Sequence, residues 1–173
     1  FKKDLDNQAR NGSYVFFDET NQMYAVRIAQ ISKWNQDLLA KPFDFSIKEQ
    51  AELDAEKLPF PSTAAERKER WRRKLKFMTL ERYADALELR TNNKSKEGFV
   101  FKADSTLERE SREKVSKLME RAFERWRLKF NQDDKFNLLV NTITTAMDPH
   151  TEFMPPVDKR YFDEEMSGEF FGI

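Results

Sequence analysis

The stretch Thr63-Ala64-Ala65-Glu66, followed by a heavily charged run as far as residue 89, decides the fold class of this chain. Thr63 and Glu66 have the spacing of a capping box, in which a hydroxyl and a carboxylate each accept a hydrogen bond from an otherwise unpaired backbone N–H. Behind the box, large apolar residues recur at helical spacing: Trp71, Leu75, Met78, Tyr83 and Leu87. The pattern predicts one amphipathic helix that is about 40 Å long.

Two neighbouring stretches predict helices in the same way. Ser105 and Glu108 offer a second capping box, and an apolar stripe behind them predicts a long helix over about residues 105–126. Upstream, apolar residues that step by three, four or seven predict a helix over about residues 13–40. Pro42 closes this upstream helix, because the residue before a proline disfavours the helical conformation.

The best-patterned helix of the chain lies near its carboxyl end, and Asp133 or Asp134 is predicted to cap it. Its apolar residues follow the spacing i, i+3, i+4, i+7 and i+11: Phe136, Leu139, Val140, Ile143 and Met147. Gly12 is predicted to end a further short helix at the amino end. The chain is therefore expected to be all-α, an irregular bundle of about five helices of which two are long.

The segments between the helices predict loops of two kinds. Residues 42–61 carry apolar residues between acidic ones without a sustained period, which indicates an ordered loop held by aromatic side chains, with one short helix around residues 48–53. Residues 92–98 are polar and are predicted to be the most mobile loop. The chain has only four glycines and six prolines, which favours helices over a glycine-rich β architecture.

Composition excludes several classes of protein. Lysine plus arginine equals aspartate plus glutamate at 31 each, so no whole-chain field attracts nucleic acid or an anionic membrane. The absence of cysteine excludes a disulfide framework and thiolate metal sites. No run approaches the ~18 uncharged apolar residues of a membrane-spanning helix. No segment repeats with a period of about 20 to 50 residues, which argues against a solenoid of identical units.

The carboxyl end carries a motif of another kind. Residues 148–156 read Asp-Pro-His-Thr-Glu-Phe-Met-Pro-Pro, and residues 168–173 read Gly-Glu-Phe-Phe-Gly-Ile. The second stretch has the pattern of a short strand, and a strand without a partner cannot satisfy its own backbone hydrogen-bonding groups. We therefore expect the natural polypeptide to continue beyond residue 173.

These residues resemble the junction between the N-terminal helical region and the PDZ domain of the tail-specific proteases, the periplasmic branch of the C-terminal processing peptidases. Residues 148–155 match the family's Asp-Pro-His-Thr followed by an aromatic residue and a proline. Phe162 and Met166 precede a strand that continues Gly-Ile-Gly-Ala in the family, here Gly172-Ile173. Upstream, residues 38–45 match the family's Leu-Leu-x-x-Pro-Phe-Asp-Phe.

The resemblance implies an N-terminal helical domain over residues 1–166 and the start of a PDZ domain over residues 167–173. The whole enzyme would cleave proteins that expose a nonpolar C-terminus, with the terminus bound by the PDZ domain and a serine activated by lysine in a later domain. The expected partners are the rest of the same protease chain, such protein substrates and a lipoprotein adaptor, all in the bacterial periplasm. The first alternative function is a free-standing helical protein-interaction module, and the second, less favoured, is a basic nucleic-acid binder.

The resemblance also assigns no catalytic, cofactor-binding or metal-binding residue to this chain. It instead leaves a structural or hinge role to the residues of the family motif. Because the Asp-Pro-His-Thr run lies between a helix and a strand, we expect its residues to fix the direction in which the chain enters the PDZ strand. The residues of the family motif are Asp148, Pro149, His150, Thr151, Phe162, Met166 and Gly172.

His150 is the only histidine and the first alternative candidate for chemistry. An imidazole can act as acid, base or metal ligand. Without a cysteine or a second histidine, however, it cannot complete a typical zinc site from this chain alone. We favour a structural interpretation, in which Asp148 and Pro149 end the preceding helix and Thr151 bonds locally.

Ser111 and Lys114 have the Ser-x-x-Lys spacing of hydrolases that use lysine as a base. The surrounding run is mostly charged, so we expect a solvated helix face with an ordinary protonated lysine and no oxyanion hole. A catalytic role is therefore not predicted.

Residues 67–76 contain seven cations and one acid around Trp71. A basic helix that carries an aromatic residue is a candidate for binding nucleic acid or anionic lipid. The alternative is a solvated face paired with acidic residues elsewhere, with Trp71 and Leu75 in the core. Because acidic residues balance the total charge, we favour this second interpretation.

Overall fold

The computed structural model describes residues 5–54, 57–128 and 130–168, and the regular elements within these ranges are helices. The helices are α1 (Leu5–Arg10), α2 (Val15–Leu39), α3 (Ala64–Asn92), α4 (Asp104–Leu128), α5 (Gln132–Met147) and α6 (Pro156–Ser167). The predicted all-α class is confirmed, and the two predicted long helices are α3 and α4, with 29 and 25 residues. None of the helices in the described ranges combines the length and the apolar character that a bilayer crossing requires.

The chain divides into two compact units. The central unit comprises residues 25–126, and the terminal unit comprises residues 1–24 and 127–173. The boundaries fall within α2 and α4, whereas α3 belongs wholly to the central unit and α5 and α6 to the terminal unit.

At the core of the central unit, a cluster of buried apolar residues has one member from each of α2, α3 and α4. These are Leu39 of α2, Leu75 of α3 and Val115 of α4, of which the last two are fully buried. Leu38, Phe43, Trp71, Met78 and Met119 pack around them. Complete burial of such a side chain stabilises the fold by about 1.5–3 kcal/mol. The prediction that Trp71 and Leu75 face the core is confirmed.

The first capping box is confirmed, with one change. The Thr63 hydroxyl accepts a hydrogen bond from the N–H of Glu66 at 3.1 Å, and the Glu66 carboxylate accepts one from the N–H of Ser62 at 2.8 Å. The second predicted box is wrong. The helix begins at Asp104, and Glu108 turns inward, where it is 8% exposed.

The predicted cap of α5 is also wrong, by two or three residues. Asn131 is the cap: its side chain accepts a hydrogen bond from the N–H of Asp134 at 2.8 Å, and the Asp134 carboxylate accepts one from the N–H of Asn131 at 3.1 Å. A cap must precede the first helical residue, here Gln132, so Asp133 and Asp134 already lie within the helix. At the amino end, Gly12 adopts a left-handed conformation after α1, as predicted.

The segment after α2 is irregular, with a turn and bends but no helix, and the short helix predicted around residues 48–53 is wrong. We call residues 40–54 the strap. The ammonium of Lys76 donates to the carbonyl of Ile47 at 2.8 Å, and Arg72 holds Glu49 at 2.9 Å. These contacts with α3 use backbone and side-chain groups of the strap, so tertiary contacts override the helical propensity of this stretch.

Candidate functional site: the connection from α5 to α6

The Asp-Pro-His-Thr run forms a closed turn directly after α5, and we call residues 148–151 the motif turn. The N–H of Asp148 donates to the carbonyl of Thr144 at 2.8 Å and so completes the helix. One oxygen of the Asp148 carboxylate accepts the N–H of His150 at 3.0 Å, and the other accepts the hydroxyl of Thr151 at 2.9 Å. Pro149 has no N–H and cannot extend the helix. The motif turn therefore ends α5 through contacts among its own residues.

These hydrogen bonds affect the charge of the turn. The N–H of His150 and then the hydroxyl of Thr151 stabilise the ionised form of Asp148, which lowers the pKa of its carboxyl. His150 uses its backbone in the turn, while the residue is exposed. Among the described residues, no group of three or more histidine, cysteine or acidic side chains is placed to hold a metal ion.

A residue that the sequence did not single out holds the segment after the turn. The Asn141 side chain on α5 meets the backbone of Phe153 on both sides: its Oδ1 accepts the N–H at 2.7 Å, and its Nδ2 donates to the carbonyl at 3.2 Å. We call this pair of hydrogen bonds the Asn141 clasp. No signal in the sequence marks Asn141, because one polar residue on an amphipathic helix is unremarkable.

Aromatic rings secure the same segment. Phe153 packs edge-on against Phe136 of α5, with ring centroids 5.8 Å apart at 84°. Phe136 also packs edge-on against Phe17 at 5.4 Å and Tyr14 at 6.0 Å. Phe136 therefore lies at the centre of an aromatic cluster in the terminal unit, and residue 153 is held by both its ring and its backbone.

The next element, α6, is a helix that the sequence analysis missed. Pro156 is its first residue, and Gly168 follows it in the left-handed conformation, the two signals that could have revealed it. Phe162 and Met166 lie one turn apart on α6 and are 45% and 72% exposed. Gly172, the last motif residue, lies outside the described residues.

The strap connects to α4 through an ion pair that is largely shielded from solvent. Arg112 and Glu108 form a salt bridge at 2.8 Å, and each side chain is 11% exposed. Arg112 also donates to the carbonyl of Leu39 at 2.7 Å, and Glu108 accepts the N–H of Phe43 at 3.3 Å. The inward position of Glu108 thus has a function in the fold, since it anchors the start of the strap to α4.

The motif-like residues 38–45 take part in this arrangement. Phe43 packs on the core of the central unit, and Phe45 stacks on Tyr83 with ring centroids 5.7 Å apart. Asp44 accepts hydrogen bonds from the N–H of Ser46 at 2.9 Å and from its hydroxyl at 2.6 Å. The predicted loop held by aromatic side chains is therefore confirmed at Phe43 and Phe45, but not at Phe60, which is 99% exposed.

Comparison with known families places both motif-bearing regions in one match. The family described as tail specific protease N-terminal domain matches residues 1–157, a range that includes the strap, the Asn141 clasp and the motif turn. The chain belongs to this family. The resemblance predicted from the sequence is confirmed for that range, and Phe162, Met166 and Gly172 lie beyond it. No solved structure matches the chain.

In this tail specific protease N-terminal domain, Ser111 and Lys114 point in different directions. Ser111 is 1% exposed, and its hydroxyl donates to the carbonyl of Leu107 at 2.7 Å, whereas Lys114 is exposed. The expectation of a solvated face was wrong for Ser111, because only part of this charged helix faces solvent. The two side chains do not form a nucleophile and base pair.

The basic stretch of α3 is occupied by contacts within the domain. Arg72 bonds to Glu69 at 2.7 Å and to Glu49 at 2.9 Å, and Lys76 lies 3.3 Å from Glu49. The hydrogen bond from Arg72 is the main cause that lowers the pKa of Glu69 to about 2. Further contacts are Arg67 over the Trp34 ring, Lys74 over the Trp71 ring, and Arg70 with the carbonyl of Pro59. Most cations of the stretch thus have partners in the fold.

Proposed function

We propose that this domain is the non-catalytic scaffold of a periplasmic serine protease that processes or degrades proteins with nonpolar C-termini. In this proposal a PDZ domain begins near residue 167 and binds the C-terminus, and a serine and lysine pair in a later domain cleaves the peptide bond. The helical domain would shape the chamber through which an unfolded tail passes, support the PDZ hinge, and offer surface to a lipoprotein adaptor. Family membership supports the association with proteolysis.

One observation carries the scaffold role: the connection from α5 to α6 is held by side chains whose contacts serve geometry. The carboxylate of Asp148 uses both oxygens to close the motif turn, and the amide of Asn141 uses both ends to hold Phe153. Such contacts fix the direction in which a chain leaves a helix. We infer that the motif turn sets the path from the helical domain toward the PDZ strand.

The contacts of the basic stretch favour the scaffold over a nucleic-acid binder. Binding to nucleic acid requires lysines and arginines that are free to neutralise phosphates and so release the cations condensed on the nucleic acid. Here Arg72 and Lys76 hold Glu49 and the strap, so phosphate binding would compete with contacts that maintain the fold. A free-standing interaction module would bind a partner without affecting proteolysis, which the experiment below distinguishes.

Substitutions in the motif turn of the intact protease test the scaffold role. Asp148→Ala and Thr151→Ala each remove a partner from the turn, and we expect slower cleavage of a substrate with a nonpolar tail. His150→Ala is the matched control, because the turn uses the backbone N–H of His150, which the substitution leaves in place. Unchanged thermal stability and unchanged tail cleavage in both turn variants would refute the role assigned to the turn.

A second comparison tests the substrate class and the absence of chemistry in this domain. The intact protease should cleave a protein that ends in apolar residues faster than the same protein ending in two aspartates. The isolated chain of residues 1–173 should cleave neither. Ser111→Ala in the intact protease should leave the cleavage rate unchanged and cost only the stability of one buried hydrogen bond, about 1 kcal/mol. Turnover by the purified isolated chain would contradict the proposal.

A further inference from the structure

The Asn141 clasp has the geometry of a single residue pair in a β ladder. In an antiparallel ladder, two facing residues exchange two hydrogen bonds, one from each N–H to the carbonyl opposite. The Asn141 amide supplies the same donor and acceptor from a helix, with Nδ2 toward the Phe153 carbonyl at 3.2 Å and Oδ1 toward its N–H at 2.7 Å. A side-chain amide of this kind recognises one residue of an extended backbone.

This recognition defines the register of the segment around Phe153 against α5. Successive residues of an extended segment point their side chains to opposite faces, so a slip of one residue reverses which side chains face inward. A slip that placed Glu152 or Met154 on Asn141 would remove the Phe153 ring from Phe136, where the centroids are now 5.8 Å apart. The ring contact and the two backbone hydrogen bonds therefore select the same residue.

The clasp differs from the motif turn in what it joins. The hydrogen bonds of the turn connect residues two or three apart, and Asp148, His150 and Thr151 are exposed. The clasp connects residues twelve apart, and both Asn141 and Phe153 are partly buried. The turn can end α5 by itself, but it cannot tie the segment before α6 back to the side of α5.

We propose that Asn141 is the positioning residue of this domain. By holding Phe153, it sets the register in which the chain leaves α5 and hence the orientation of α6, which begins three residues later at Pro156. The inference rests on the proposed function, since it assigns to Asn141 the placement of the module that follows α6. Loss of the clasp should leave tail binding intact and slow the cleavage step, because the bound tail would be misplaced relative to the reacting groups.

Two substitutions at this position separate the clasp from general stability. Asn141→Leu keeps the branched arrangement of the side-chain heavy atoms and can form neither hydrogen bond at any pH. Asn141→Asp, when ionised, can accept from the Phe153 N–H but repels the Phe153 carbonyl. When protonated, its carboxyl group can both donate and accept, as the amide does. Thr142→Val is the matched control, because the exposed Thr142 hydroxyl bonds only locally to the carbonyl of Leu138 at 2.7 Å.

The experiment uses the intact protease and three measurements: hydrogen exchange at the Phe153 amide, kcat for a substrate with a nonpolar tail, and Kd for a free peptide with the same tail. In Asn141→Leu we expect loss of protection at Phe153 and a kcat lower by about tenfold to a hundredfold, as misplacement of about 1 Å can produce. Kd should not change. In Asn141→Asp, protection and kcat relative to wild type should recover by about half as the pH falls from about 7 to 4, because about half of the carboxyl groups are protonated near the ordinary aspartate pKa of about 3.9, whereas Asn141→Leu should not recover.

The outcomes are distinguishable. Unchanged protection of the Phe153 amide from hydrogen exchange in Asn141→Leu would show that the Asn141 clasp does not hold Phe153, and would refute the proposal. Lost protection with unchanged kcat would overturn the positioning role while leaving the proposed function intact. A decrease of kcat in Thr142→Val as large as in Asn141→Leu would also overturn the positioning role of Asn141. If the wild-type protease showed no preference for nonpolar tails, the proposed function would fail, and hydrogen exchange would still decide whether Asn141 holds Phe153.

Discussion

Removal of the Arg112 side chain should destabilise the central unit far more than removal of a neighbouring arginine on the same helix. Arg112 lies in a salt bridge with Glu108 in which both side chains are 11% exposed, and it also donates to the Leu39 carbonyl. Arg112→Met keeps the apolar part of the side chain but leaves the Glu108 carboxylate shielded from water without its cation. Breaking such a buried pair typically costs about 3–5 kcal/mol.

Arg109→Met is the matched control. Arg109 pairs with Glu113 on the exposed face of α4, where the two side chains are 55% and 53% exposed. Exposed pairs of this kind contribute about 0–1 kcal/mol because water screens them. The double variant Glu108→Leu/Arg112→Met removes both charges, so it should be less destabilised than Arg112→Met alone, because no unpaired charge remains.

Tryptophan fluorescence during urea denaturation reports the unfolding of the central unit and so measures the loss of stability in each variant. All three tryptophans, Trp34, Trp71 and Trp126, lie within the central unit. For a chain of this size, a loss of 3–5 kcal/mol corresponds to a decrease in the melting temperature of roughly 6–20 °C. Equal midpoints for Arg112→Met and Arg109→Met would refute the reasoning, since they would show that burial does not distinguish the two pairs.

Three further predictions concern the core, pH and a helix cap. Leu75→Ala should reduce the free energy of unfolding by about 2–5 kcal/mol, because Leu75 is fully buried, whereas Leu80→Ala, at a residue 42% exposed, should have a much smaller effect on the same denaturation curve. The pKa of Glu69 is lowered from 4.5 to about 2, so its contribution to stability is complete above pH 4.5 and declines as the pH falls toward 2. In a series of melting curves, Glu69→Gln should flatten this decline, and an unchanged slope would refute the assignment. Asn131→Ala should destabilise α5 by about 1 kcal/mol through loss of its cap, while Asp133→Ala should not, as hydrogen exchange of the first turn of α5 can show.

The helices were predictable because their signals are local. Apolar residues at a spacing of three or four, a cap residue and a closing proline or glycine all act within a few positions of one another. Thr63 and Gly12 were interpreted correctly on this basis. The helix α6 carried similar signals in Pro156 and Gly168, but the residues between them were interpreted through their family resemblance alone.

Errors arose where a local pattern had a distant competitor. Ser105 and Glu108 have the spacing of a capping box, yet Glu108 accepts a hydrogen bond from the N–H of Phe43, 65 residues earlier in the chain. The strap has residues of good helical propensity, but Lys76 and Arg72 of α3 bind its Ile47 carbonyl and its Glu49 carboxylate, and it forms no helix. In both cases a contact between elements decides the conformation, and nothing in the local spacing reveals that contact.

In the candidate site, too, the local contacts were predictable from the sequence and the distant contacts were not. The motif turn could be located from the sequence, because the hydrogen bonds of Asp148 reach only two or three residues along the chain. The clasp could not, because the significance of Asn141 depends on where the chain returns after the turn. Its partner is twelve residues away, and the path between them bends at Pro149.

The sequence by itself determined the all-α class, the approximate positions of five helices and the turn that ends α5, because hydrophobic periodicity and helix capping act over a few residues. Only the tertiary structure decided that Glu108 binds the strap, that Arg112 binds the end of α2, and that Asn141 holds Phe153. The partners of these side chains are 65, 73 and 12 residues away. Their pairing follows from the packing of whole helices, which places a particular N–H or carbonyl within reach of a side chain that could otherwise have faced water.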